Sequence, residues 1–122
     1  MTIRKLILGT AIASALLAAD PAVEQARKKV ADKKFDEAIA QLEGAYKAKP
    51  AAADVKKALV EANMAKADFF MNDPGTPPRV KYPTALKAYR EVLKYEKDNG
   101  KAKQNIATIE GIYKSMGRPV PQ

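Results

Sequence analysis

The sequence contains no cysteine, no histidine and no tryptophan. Without thiols there can be no disulfide staple, no thiolate zinc site and no cysteine nucleophile. Without imidazole, Ser/His nucleophile systems and histidine-held metals are excluded too. The lack of cysteine does not by itself fix a redox compartment, because a cysteine-free domain is stable in any of them. Glycine-rich phosphate cradles are also missing, since Gly75 and Gly100 are isolated turn glycines. Aromatic residues make up only 7% of the chain while alanine is abundant. A core built from such small and aliphatic side chains suits closely layered helices.

What is present in excess is positive charge. Against 14 Asp and Glu stand 22 Lys and Arg, a formal charge of +8 with a pI near 9.7. That excess either favours an acidic partner or an anionic surface, or simply solvates the outer faces of helices. The carboxylates are scattered among lysines and do not converge as acid–base catalysis requires. Glu24, Lys28 and Asp32 at four-residue steps, and Glu43 with Lys47, read as helix-surface pairs. The expectation is a non-enzyme with no catalytic residue, no metal and no cofactor.

Residues 1–19 have the order of a bacterial export signal. Met1 to Lys5 is a short positive segment, Leu6 to Leu17 is apolar, and Ala18 and Ala19 follow. As a helix, Leu6 to Ala19 would rise roughly 21 Å, less than the roughly 30 Å of a hydrocarbon core. Cleavage is therefore expected, best after Ala19, although Leu17 is bulky for the third position before the cut; a cut after Ala15 would put Ala13 and Ala15 in the preferred places. Loss of Arg4 and Lys5 leaves 20 positive against 14 negative residues, or +6. The expected location is periplasmic or secreted; the alternative keeps residues 1–19 as a membrane anchor. Asp20 follows the leader where a lipoprotein would have its acylated cysteine, so there is no thiol to lipidate.

Five helices are expected beyond the leader. Asp20-Pro21 is a start signal, an amide-capping carboxylate before a first-turn proline, and Val23, Ala26 and Val30 make residues 21–33 helical. A second helix spans residues 36–49, with Phe35, Ala38, Ile39, Leu42, Ala45 and Tyr46 on one face, and Pro50 stops it. The third covers residues 52–71 on a stripe that includes Val55, Ala58, Leu59, Ala62, Ala65 and Phe69. Residues 72–81 hold three prolines and a glycine and read as an insertion loop. A fourth helix is expected from Pro83 to Lys97 and a fifth from Lys101 to Met116, ended by Gly117. Tyr82, Tyr89 and Tyr113 lie on core stripes, while Tyr95 falls off its stripe and reads as exposed. Residues 117–122 form a proline-containing tail, so the domain proper is 20–116.

The residues Phe35-Asp36-Glu37-Ala38-Ile39, with Leu42, Ala45 and Pro50 at +4, +7 and +12 from Ala38, resemble the second helix of a tetratricopeptide repeat (TPR). Tyr82-Pro83-Thr84-Ala85, with Tyr89 and Val92, is similar again, though Lys97 stands in place of the final proline. The two alanines lie 47 positions apart where the family spaces them by 34, and the first helices lack the family's Trp, Leu, Gly and Tyr series. The resemblance implies an all-α fold: antiparallel helix pairs stacked as a short TPR-like solenoid of about two and a half repeats and five helices after the signal helix, the fifth serving as a cap.

That resemblance also implies function. TPR arrays hold a peptide or a partner helix on the concave surface lined by their first helices, so the chain is expected to be a protein-binding adaptor or scaffold. Lys56, Asn63, Lys66 and Asp68 on the third helix are candidates for that surface, an amide and lysines being able to hold a peptide backbone or a carboxylate. Arg79 and Lys81 project from the expected loop, which prolines pre-stiffen for contact. The residues expected to bind the partner are Lys56, Asn63, Lys66, Arg79 and Lys81. The partner expected is a protein or peptide, acidic in character; no aromatic-and-basic module for nucleic acid is visible, and the export leader also argues against one. So short a stack has apolar ends that a partner, a second copy or a larger complex can cover, and the alternative function is an accessory subunit anchored by residues 1–19.

Overall fold

Asp20 and Pro21 start the first helix as their chemistry dictates. The Asp20 carboxylate accepts the Ala22 amide at 2.9 Å, and Pro21 occupies the first turn, where no N–H is needed. The computed structural model describes residues 20–122, so the expected export signal at residues 1–19 lies outside the described residues. Five helices follow in chain order: α1 (Pro21–Ala31), α2 (Phe35–Ala48), α3 (Ala53–Asn72), α4 (Pro78–Tyr95) and α5 (Gly100–Ser115). No strand occurs among the described residues, and the fold is all-helical. Turns of three to five residues join the helices and force each to double back on the last.

The core is divided along α3, the longest helix. Its first half packs Val55, Ala58, Leu59 and Ala62 against Val23 and Ala26 of α1 and Ala38 and Leu42 of α2. Val60 and Ala67 of the same helix meet Leu86, Tyr89 and Val92 of α4, and these in turn meet Ala102, Ile109 and Tyr113 of α5. Ala38 and Ala85 are both 0% exposed, so a larger side chain at either would push two helices apart. The α3–α4 pair is the most extensive contact, α1 touches both α2 and α3, and α5 leans on α4 with little approach to α3.

Asp68 ties three helices together. Its carboxylate accepts the Tyr89 hydroxyl at 2.6 Å and the Lys101 ammonium at 2.7 Å, linking α3 to α4 and α5. Burial, and then the Asp68 carboxylate, hold the Tyr89 hydroxyl protonated well above the ordinary phenol range. Asp68 is thus occupied inside the fold rather than presented to a partner.

Three expectations are corrected. The linker is Asp73–Pro77, shorter than the expected loop at 72–81, because α4 starts at Pro78 instead of Pro83. Pro77 and Pro78 fix the first turn, and the amides of Val80 and Lys81 both bond to the Pro77 carbonyl at 2.9 Å. Pro83 then falls inside the helix and withholds one bond, that to the exposed Arg79 carbonyl, which water can take. Tyr95 is partly buried, edge-on to Tyr46 with ring centroids 5.4 Å apart, and packs against both halves of the core. Charges pair chiefly between helices, as in Arg27–Glu61 and Lys66–Asp36, and not along the Glu24, Lys28, Asp32 or Glu43, Lys47 rows. The tail is docked: Arg90 donates to the Pro121 carbonyl at 2.8 Å and Val120 packs on the core.

Candidate functional site: a trough between α2 and α4

Because α2 and α4 both pack on α3 without extensive contact with each other, a strip of α3 is left as the floor of a trough. Two adjoining hollows of about 500 and 390 Å³ make it up, sharing Asp36, Lys66 and Lys87. One end is basic: Lys33, Lys66 and Lys87 surround it, with Asp36 the single carboxylate and Phe35 and Phe70 supplying apolar wall. The other end carries Glu43 and Glu91 beside Asn63 and Lys94. The first hollow thus has an excess of lysine, whereas in the second three lysines and three carboxylates balance.

Lys33 is held there by an unusual backbone. The chain leaves α1 through a left-handed residue whose φ is 61°, with the Lys33 amide on the Val30 carbonyl (2.9 Å) and the Lys34 amide on that of Lys29 (2.8 Å). This helix stop normally uses glycine, because a side chain in the left-handed region costs roughly 1–2 kcal/mol. The Lys33 ammonium lies 5.0 Å from the centre of the Phe69 ring, within range of a cation–π attraction. Phe69 packs in turn on Phe35 and Phe70, at 5.5 and 5.3 Å between centroids.

Lys66 reaches across to α2, its ammonium 2.7 Å from an Asp36 oxygen. Its side chain is 23% exposed while that of Asp36 is 84% exposed, so the pair is anchored on the lysine side and the carboxylate can be exchanged for another. At the opposite end Lys94 donates to Glu91 at 2.7 Å, which raises the lysine's pKa. Burial raises that of Tyr95, and the Glu43 and Glu91 charges add to it.

The residues nominated from sequence do not form one cluster. Asn63 and Lys66 meet in the trough, but on the side between α2 and α4; Asn63 is buried and its amide donates to the Leu59 carbonyl at 3.0 Å. Lys56 is exposed on the first half of α3 and lines neither hollow. Arg79 stands in a separate concavity of about 830 Å³ with Arg118, Tyr82, Tyr113 and Met116. Lys81 lies near Asp73, whose carboxyl is held below its ordinary range by the Thr76 hydroxyl, the Gly75 amide and then the Lys81 and Lys33 charges.

Sequence reasoning missed Lys33, Lys87 and Arg118. Lys33 follows an ordinary basic helix end, and only the positive φ distinguishes it. Arg118 is turned back beside Tyr113 by Gly117, whose φ of 66° lets the Arg118 amide bond the Tyr113 carbonyl at 3.0 Å. Gly117 itself was readable as a helix stop, but the residue it brings to the concavity was not. No protein family, no curated protein and no solved structure matches the chain.

Proposed function

We propose that the protein is a non-catalytic polypeptide-binding module of TPR-like construction that acts outside the cytoplasm. It receives an extended segment or helix in the trough, acidic groups of the partner lying over Lys33, Lys66 and Lys87. The observation that carries this reading is the trough itself: an open strip of α3 flanked by two helices, with an excess of lysine in one hollow and balanced charge in the next. Complementary charge of this kind fixes the direction in which a partner lies and speeds its arrival. A lysine retained where glycine would be less strained supports the reading, since such strain persists where a side chain is needed. The export-type leader supports the location. The wholly buried Ala38 and Ala85, which carry the repeat resemblance, support the construction, while the lean of α5 on α4 departs from regular stacking. The concavity of Arg79 and Arg118 offers a second contact for acidic groups.

Site-specific photocrosslinking in the native cell tests the proposal. A photoreactive residue at Ala40, inside the trough, is expected to capture one discrete polypeptide, and Lys66→Glu with Lys87→Glu is expected to abolish the adduct. The same probe at Thr108, exposed on α5, provides the control. Equal capture at both positions, or capture indifferent to the charge reversals, would sink the reading.

A further inference from the structure

The start of α1 is held to the start of α3 by one long-range bond. The Asp20 backbone nitrogen donates to Oδ2 of Asp54 at 2.9 Å across 34 residues. Asp20 also uses its own carboxylate on the Ala22 amide, and the Lys49 ammonium at the end of α2 lies 3.7 Å from that carboxylate. Asp20 and Asp54 thus put two negative charges at this corner against the single positive charge of Lys49. The next charges along the helices, Glu24 on α1 and Lys56 and Lys57 on α3, are exposed, and neither lysine is paired with Asp54 or Asp20. The corner is short of one cation, and the atom already seated on Asp54 is the nitrogen of the residue that follows the leader.

We propose that Asp54 is the receiving site for the α-ammonium group of a mature chain that begins at Asp20, so that removal of residues 1–19 locks α1 onto α3. Cleavage by water of the Ala19–Asp20 amide gives Ala19 a carboxylate and leaves Asp20 a free amine, which is protonated at neutral pH. The nitrogen keeps its place and its bond, but a neutral N–H donor becomes a charged one, and charge-assisted hydrogen bonds are roughly twice as strong as neutral ones. The new charge also balances the corner, with two carboxylates facing two ammonium groups. The Asp54 carboxyl is already held low, first by the Asp20 amide and also by the free amides at the start of α3 and the Lys49 charge, so it is ionised and ready to accept. The inference rests on the export reading and adds to it a defined mature end and a reason for its position.

Linkage fixes the pH window. An ammonium gripped by a carboxylate has a raised pKa in the folded state; its contribution is complete below the unfolded value of about 7.7–8.0 and disappears as pH rises through the folded one.

The test has two parts. Intact mass and N-terminal sequence of the protein recovered from fractionated native cells are expected to show a chain starting at Asp20. A full-length mass would overturn both the export reading and this inference, whereas a cleaved chain starting elsewhere, at Leu16 for instance, would overturn the inference alone. In the second part, the chain beginning with a free Asp20 is compared with the same chain N-acetylated, which keeps the N–H donor and removes only the charge. At pH 6 the free chain is expected to melt higher by roughly 4 °C, the gap closing by about pH 10, as one charge-assisted bond in a domain of this size predicts. Asp54→Asn is expected to erase the gap, and the α-amino pKa measured by NMR is expected to lie above 8 in the unsubstituted protein. Equal melting of free and acetylated chains at pH 6, a gap that survives Asp54→Asn, or an ordinary α-amino pKa would each overturn the proposal.

Discussion

Two residues perform the same backbone task in different ways. Gly117 ends α5 and Lys33 ends α1, both in the left-handed region, yet only glycine adopts it freely. Lys33→Gly is therefore expected to stabilise the fold by about 1 kcal/mol, read as a higher urea midpoint with unchanged slope. The same change removes one of three ammonium groups at the basic end of the trough, so capture of an acidic partner at Ala40 is expected to weaken. A variant that gains stability and binds undiminished would mean that Lys33 has no part in recognition. Lys66 differs in kind. It is the best-anchored cation of the trough, and its Asp36 partner on the exposed side marks where an incoming carboxylate would compete.

At the scale of helices, the closest approaches are set by alanine. Ala38 on α2 and Ala85 on α4 are sealed against α3, where a larger side chain forces either an off-rotamer packing or a helix shift. Ala85→Leu is expected to lower stability by about 1–3 kcal/mol, and to widen the space between α3 and α4 that forms one wall of the trough. Chemical denaturation followed by circular dichroism checks the first effect; crosslinking at Ala40 checks the second. The early start of α4 belongs to this scale too. Pro78 is welcome in a first turn, so the helix gains a full turn and carries Arg79 and Lys81 on ordered backbone instead of a projecting loop.

For the molecule as a whole, α3 is the shared element of two half-cores, with Tyr95 packed against both. Acid sensitivity is expected to arise at the two ends of α3. Asp54 near its start and Asp73 just past its end have carboxyls held below the ordinary value of 3.8, the first chiefly by the Asp20 amide and the second by the Thr76 hydroxyl. A depressed carboxylate adds stability above its unfolded pKa and loses it as pH falls through the folded one. The melting temperature is thus expected to drop as pH is lowered from about 5 to 2, and less steeply in Asp73→Asn than in the parent. An identical slope in both would remove Asp73 from the account.

The sequence alone determined the all-helical class, the number of helices among residues 20–122, the caps at Asp20 and Gly117, and most of the buried stripe. These follow from side-chain period and local hydrogen bonding, which act over a few residues. Long-range placement was not legible in the same way. Tyr95 looked exposed because its helix alone offers it no neighbour, and it is Tyr46, 49 positions earlier, that covers it. Lys33, Lys66 and Lys87 come from the α1–α2 turn, α3 and α4, and only the way α2 and α4 straddle α3 gathers them. The Asp20–Asp54 bond likewise joins residues with no local reason to meet. Local chemistry decides where helices begin and end, whereas the packing of their apolar faces decides which charged residues share a surface.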